Sequence, residues 1–72
     1  MGADTKTIEV SVNGRRTVTA ANTVDDLLTQ RGLASVKVAT ALNGHFVPAS
    51  RRATTELQAG DQIEIVSPRQ GG

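Results

Sequence analysis

The 72-residue chain has no cysteine, no tryptophan and no tyrosine, and its only aromatic side chain is Phe46. Without thiols, neither a disulfide nor a thiolate metal site can staple the fold, and no side chain can carry sulfur covalently as a thiol derivative. One aromatic ring offers no stacking platform for exposed bases, and a formal net charge of +1 supplies no field for a polyanion, so no nucleic acid partner is expected. The paired arginines Arg15-Arg16 and Arg51-Arg52 read as solvated loop residues. His45 stands without a second histidine, so no metal site is expected either. No apolar run approaches membrane-spanning length and no charged-then-apolar leader opens the chain; the expectation is a cytoplasmic protein with no membrane partner. Met1-Gly2 fails as a myristoylation signal because Lys6 occupies the position that requires Ser or Thr.

What is present is aliphatic and periodic. A chain of this size buries only about 60% of the surface exposed by its unfolded form, so the core must be small and built by apolar packing alone. Ile8, Val10 and Val12 alternate with Glu9 and Ser11, the period-two pattern of a strand with one buried face. Asn13-Gly14 follows, a pair suited to the positive φ angles of a type I′ turn, and Thr17 to Ala20 resume a β-rich pattern. The first twenty residues predict a β-hairpin behind a loose leader, residues 1–5.

Thr23 is placed as an N-cap whose hydroxyl can accept from the Asp26 amide, and Asp25 and Asp26 lie in the first turn beside the positive end of the helix dipole. That position explains two adjacent acids without assigning them acid–base catalysis. Val24, Leu27 and Leu28 form one apolar stripe, and Gly32 can end the helix in a left-handed conformation with Leu33 folding back, predicting a helix over 24–31. From Val36 to Leu42 the pattern is again β-like. Val38 and Leu42 share one face while Ala39 and Ala41 share the other, so the strand is either covered on both sides or offers a small-residue patch to a partner. Asn43-Gly44 signals a second turn before His45, Phe46 and Val47, which Pro48 closes. Residues 49–55 read as a polar loop, Leu57 as a core anchor, and Ala59-Gly60-Asp61 as a turn into a last strand, Gln62 to Val66.

Pro68 cannot extend a ladder, so residues 68–72 are expected to form a flexible tail that presents the Gly72 carboxylate beyond a single domain over 1–67. Gly71 and Gly72 carry no Cβ and can enter a slot too narrow for any other residue. One helix with a mixed sheet of four to five strands, the helix packed on one face, is an α+β arrangement.

Taken together, Thr23-Val24 with Leu27-Leu28, Val38-Ala39-Thr40-Ala41-Leu42-Asn43-Gly44 through Val47-Pro48, Leu57, Gly60-Asp61-Gln62-Ile63-Glu64-Ile65 and Gln70-Gly71-Gly72 resemble the ubiquitin-like β-grasp sulfur carriers. The resemblance spans nearly the whole chain and is to the thiamine-biosynthesis carriers, the ThiS family. It implies that an E1-like adenylating enzyme activates the Gly72 carboxylate with ATP, and that persulfide sulfur from a cysteine desulfurase system converts it to a thiocarboxylate. Thiazole synthase would receive the sulfur. Arg69, Gln70 and Gly71 would be the tail residues recognised on the way. ATP and Mg²⁺ would belong to the activating partner, the chain itself binding no cofactor and acting as a protein cosubstrate rather than an enzyme, which agrees with the lack of a phosphate-cradling glycine loop.

Two segments depart from the family pattern. Pro48-Ala49-Ser50-Arg51 stands where many members carry Pro-Arg-Ser, and Arg69 stands where an aliphatic residue often precedes Gln-Gly-Gly. Both fall where partner contacts are expected. The alternatives are a carrier serving molybdopterin, cysteine or another sulfur metabolite, a ubiquitin-like modifier conjugated to lysines, and a non-covalent β-grasp binding module.

Overall fold

The hairpin forms where the alternation places it. In the computed structural model, which describes residues 6–67, β1 (Ile8–Val12) pairs antiparallel with β2 (Arg15–Thr19), Val10 facing Thr17 and Val12 facing Arg15. Asn13 and Gly14 turn the chain at φ of 52° and 84°, the sign that suits the right-handed twist of the flanking strands. The leader 1–5 and the tail 68–72 lie outside the described residues. Arg15 and Arg16 are exposed but belong to a strand, not a loop. Arg16 meets Glu9 across the hairpin at 3.5 Å, an exposed pair that water screens.

The helix, α1, covers Val24–Gln30. Thr23 Oγ1 accepts from the Asp26 amide at 3.1 Å, and the Asp26 carboxylate accepts in turn from the Asn22 amide at 3.2 Å, so orphan donors at the helix start are satisfied from both directions. At the other end the Leu33 amide donates to Leu28 O at 2.8 Å and the Gly32 amide to Thr29 O at 3.1 Å, with Gly32 at φ 75°. This is a Schellman cap, which needs a left-handed residue just beyond the helix and finds it in glycine. Residues 55–57 brace the helix start: Val24 donates to Thr55 O at 3.0 Å and Leu57 to Asn22 O at 2.8 Å.

The third strand, β3, runs from Ala39 to Leu42 rather than from Val36. The Val36 amide is taken by Leu33 O at 3.1 Å in a turn after the helix, which leaves it unavailable to a ladder. β4 (His45–Val47) returns antiparallel through the Asn43-Gly44 turn, and β5 (Gln62–Val66) is the last strand. The segment expected as a polar loop is instead a 3₁₀-helix over Ala49–Thr54, which begins after Pro48 with its preset φ of −68°. The Thr54 and Thr55 hydroxyls bond the Arg51 carbonyl at 3.2 and 2.7 Å and satisfy an acceptor that the short helix leaves open.

Strand order is β2-β1-β5-β3-β4, with β1 and β5 parallel and every other pair antiparallel. The last strand in sequence is therefore central, held between the first and the third. Val10, Val12, Ala21, Val24, Leu27, Leu57 and Ile63 form one buried cluster, with Ile8, Leu42 and Ile65 packed against it. Leu28, Val38 and Val47 are buried as well. Fully burying such side chains contributes about 1.5 to 3 kcal/mol each, and with no disulfide this packing must offset the chain's ordering entropy.

Candidate functional site

Directly paired residues point to the same face of a sheet, so register and burial together separate the two faces here. Thr40, Val47 and Ile65 form one row, and Leu42 lies beside Ile63, all on the helix side. Ala41, Phe46 and Glu64 form the neighbouring row on the opposite side, and Ala39 pairs with Val66 on that same side. The β3 ambiguity is thereby resolved: Thr40 is 2% exposed under the helix, and the Ala39–Ala41 edge faces away from it.

The face opposite the helix divides into two halves. Over β2 and β1 it is polar, with Arg16, Glu9 and Ser11 beside a lone Val18. A shallow depression of about 480 Å³ there is lined by Glu9, Ser11, Arg16, Gly60 and Gln62 among others, but its two charges already face each other. Over β5, β3 and β4 the face carries Val66, Ala39, Ala41 and Phe46, with the exposed Glu64 beside Ala41 and Gln62 at the far end of β5. Phe46 and Val66 are 69% and 59% exposed, so large apolar side chains stand uncovered next to two alanines, the arrangement expected of a contact surface. A second depression of about 290 Å³, lined by Phe46, Val47, Pro48, Arg51 and Thr55, continues the patch toward the 3₁₀-helix and brings a guanidinium to its border.

Arg51 and Arg52 separate sharply. Arg51 is exposed, whereas Arg52 is half-buried, its Nε donating to Thr40 Oγ1 at 3.2 Å and its Nη2 to the Val38 carbonyl at 2.6 Å. The expectation of a solvated pair is corrected for Arg52, which anchors the 3₁₀-helix to the start of β3. His45 is exposed, and among the described residues no three His, Cys, Asp or Glu side chains come together to hold a metal ion. Among those residues no helix is long and apolar enough to cross a membrane.

The residues expected to carry the chemistry, Arg69, Gln70, Gly71 and Gly72, lie outside the described residues. The structure does locate their root. Val66 is at once the last residue of the central strand and a member of the apolar patch. Sequence reasoning raised Ala39 and Ala41 as a possible partner patch but did not add Phe46 or Val66. Phe46 sits one residue before buried Val47, and that alternation was the available signal. Nor did it anticipate that the Asn13 and Asn43 side chains both bond the backbone of β5.

The model of the ThiS family matches residues 5–72. Among solved structures, the chain is similar to a thiamine biosynthesis protein (ThiS) from Geobacter metallireducens, with 29% identity and a TM-score of 0.73 over 90% of this chain and 100% of that one. No curated protein matches. The mixed five-stranded sheet with its α-helix is thus the α+β, ubiquitin-like β-grasp fold.

Proposed function

Because this chain belongs to the ThiS family, we propose that it is the sulfur carrier of thiamine thiazole formation, a protein cosubstrate and not an enzyme. The observation that carries the reading is the reach of the family match, which extends through Gln70-Gly71-Gly72. That the similar solved structure is a thiamine biosynthesis protein favours this pathway over other sulfur acceptors.

In this reading the Gly72 carboxylate is the reacting group. A carboxylate is a poor acyl donor until one oxygen becomes part of a leaving group. Attack of a carboxylate oxygen on the α-phosphorus of ATP, with loss of pyrophosphate, makes the acyl-adenylate. The terminal sulfur of a cysteine persulfide then attacks the carbonyl carbon and AMP leaves. A further thiol cleaves the remaining S–S bond to free the thiocarboxylate. ATP and Mg²⁺ act in the adenylating enzyme, the sulfur comes from a cysteine desulfurase system, and thiazole synthase is the acceptor. Arg69, Gln70 and Gly71 fit the partner's slot, while Phe46, Ala41, Ala39 and Val66 supply the apolar docking surface.

The test is intact-mass analysis after incubation with ATP, Mg²⁺, the adenylating enzyme and a sulfur donor. An oxygen-for-sulfur exchange located on Gly72 is the expected product. Isopeptide adducts on lysines would mark a conjugated modifier instead, and an unchanged mass would leave a binding module.

A further inference from the structure

On its β1 side, β5 has a main-chain partner only as far as Ile63. The last such bond runs from the Asn13 amide to the Ile63 carbonyl at 2.9 Å, after which the chain turns away at Asn13 with φ 52°. A continued parallel ladder would offer the Ile65 amide the carbonyl of residue 13, and the Ile65 carbonyl the amide of residue 15. The chain turns at Asn13 before either bond can form, and Arg15 pairs back with Val12 across that turn. The Asn13 carboxamide replaces both: Oδ1 accepts from the Ile65 amide at 2.8 Å and Nδ2 donates to the Ile65 carbonyl at 3.1 Å. One side chain thus extends the ladder past the end of its own strand. On the opposite edge Ala39 pairs with Val66, so both edges of β5 are held up to the root of the tail only because Asn13 is there.

We propose that Asn13 is a positioning residue for the C-terminal carboxylate, fixing the place and direction from which the chain leaves the sheet beside the apolar patch. The inference rests on the carrier reading above. From Val66 the chain has six residues to reach Gly72, at most about 20 Å fully extended. A partner must grip the patch and seat the carboxylate at once within that span. A loosened root would have to be re-ordered each time the carboxylate is seated, a cost that falls on the reaction more than on the fold.

Asn43 provides the matched comparison. It also turns a hairpin with positive φ, 51°, and its Oδ1 accepts from the Gln62 amide at 2.9 Å, but at the opposite end of β5 from the tail. Asn13→Gly and Asn43→Gly each keep the backbone freedom the turn needs and remove only the carboxamide. With both variants fully folded at the assay temperature, hydrogen exchange at the Ile65 amide and steady-state adenylation kinetics are measured against the parent. Asn13→Gly should speed Ile65 exchange by on the order of a hundredfold and lower kcat/KM for the carrier by roughly tenfold. Asn43→Gly should leave kcat/KM within about twofold of the parent. If Asn13→Gly proves too unstable to assay, Asn13→Asp carries the same expectation, since it loses the donor and sets a negative oxygen against the Ile65 carbonyl. Parent-like kinetics for the Asn13 variant, or an equal loss in both glycine variants, would overturn the proposal. A parent that is not adenylated at all would sink the carrier reading instead, while Ile65 exchange would still report on the clasp.

Discussion

Arg52 reaches back across the molecule to Thr40, its Nε donating to Oγ1 at 3.2 Å while that hydroxyl donates onward to the Val47 carbonyl at 2.8 Å. Thr40 is 2% exposed, so a polar atom under the helix has partners in both roles and incurs no penalty for lost hydration. The Arg52 Nη2 bond to the Val38 carbonyl adds a second tie to the same strand. Arg52→Ala should therefore lower unfolding free energy by about 1 to 2 kcal/mol, the range for a partly buried, charge-assisted pair of bonds. Arg51→Ala should stay within about 0.5 kcal/mol because among the described residues that exposed side chain makes no such bond. Denaturant midpoints of the two variants, adjacent in sequence, decide it; equal midpoints would mean the tie carries no stability.

The apolar stripe of α1 makes a larger claim. Leu28 is 2% exposed, and truncation to alanine removes apolar contacts and leaves a cavity, a loss of about 2 to 5 kcal/mol. Small domains have only about 5 kcal/mol in total to lose. Leu28→Ala should be largely unfolded near 37 °C, seen as lost dispersion of amide resonances. A variant that melts with the parent would mean the helix does not rest on that side chain.

Much of this was readable in the chain because its causes are local. The Ile8-Val10-Val12 alternation and Asn13-Gly14 mark the hairpin, and Thr23, the stripe and Gly32 bound the helix to within a residue of Val24–Gln30. The failures have physical reasons too. The 3₁₀-helix at Ala49–Thr54 buries no side chain, so no apolar period betrays it. Val36 has strand propensity, but its amide is used in the turn after the helix. The bond from Asn13 to Ile65 spans 52 residues and leaves no trace in the neighbours of either. The terminal glycines were singled out by their chemistry alone, which is why their role rests on family membership.

Phe46 separates folding from recognition. At 69% exposure it contributes little to the core, and Phe46→Ser should change the melting free energy by no more than about 0.5 kcal/mol. An aromatic anchor at the centre of an interface can carry 2 kcal/mol or more of binding, about a thirtyfold loss of affinity on truncation. Calorimetric titration against the adenylating enzyme, beside a melting curve, reads both quantities. Unchanged affinity would move the docking surface off the Val66–Ala39–Ala41–Phe46 patch.

The tail prediction concerns reach and width. Deleting Gly72 leaves the Gly71 carboxylate one residue short of the position that the partner's active site must engage, and a misplacement of about 1 Å can cost a hundredfold in rate. Gly71→Val preserves the length but adds a branched Cβ that obstructs a narrow slot and restricts the backbone. Both changes follow β5 in sequence, so the melting curves of the two variants should overlay the parent's. ATP–pyrophosphate exchange catalysed by the adenylating enzyme should fall at least about a hundredfold for each. The two variants fail for different reasons, one of distance and one of shape, so agreement between them locates the reacting carboxylate on Gly72. Exchange at the parent's rate in both would show that activation does not depend on the terminal glycines, and the fold would then be serving a binding module that has kept its docking face without the carrier chemistry.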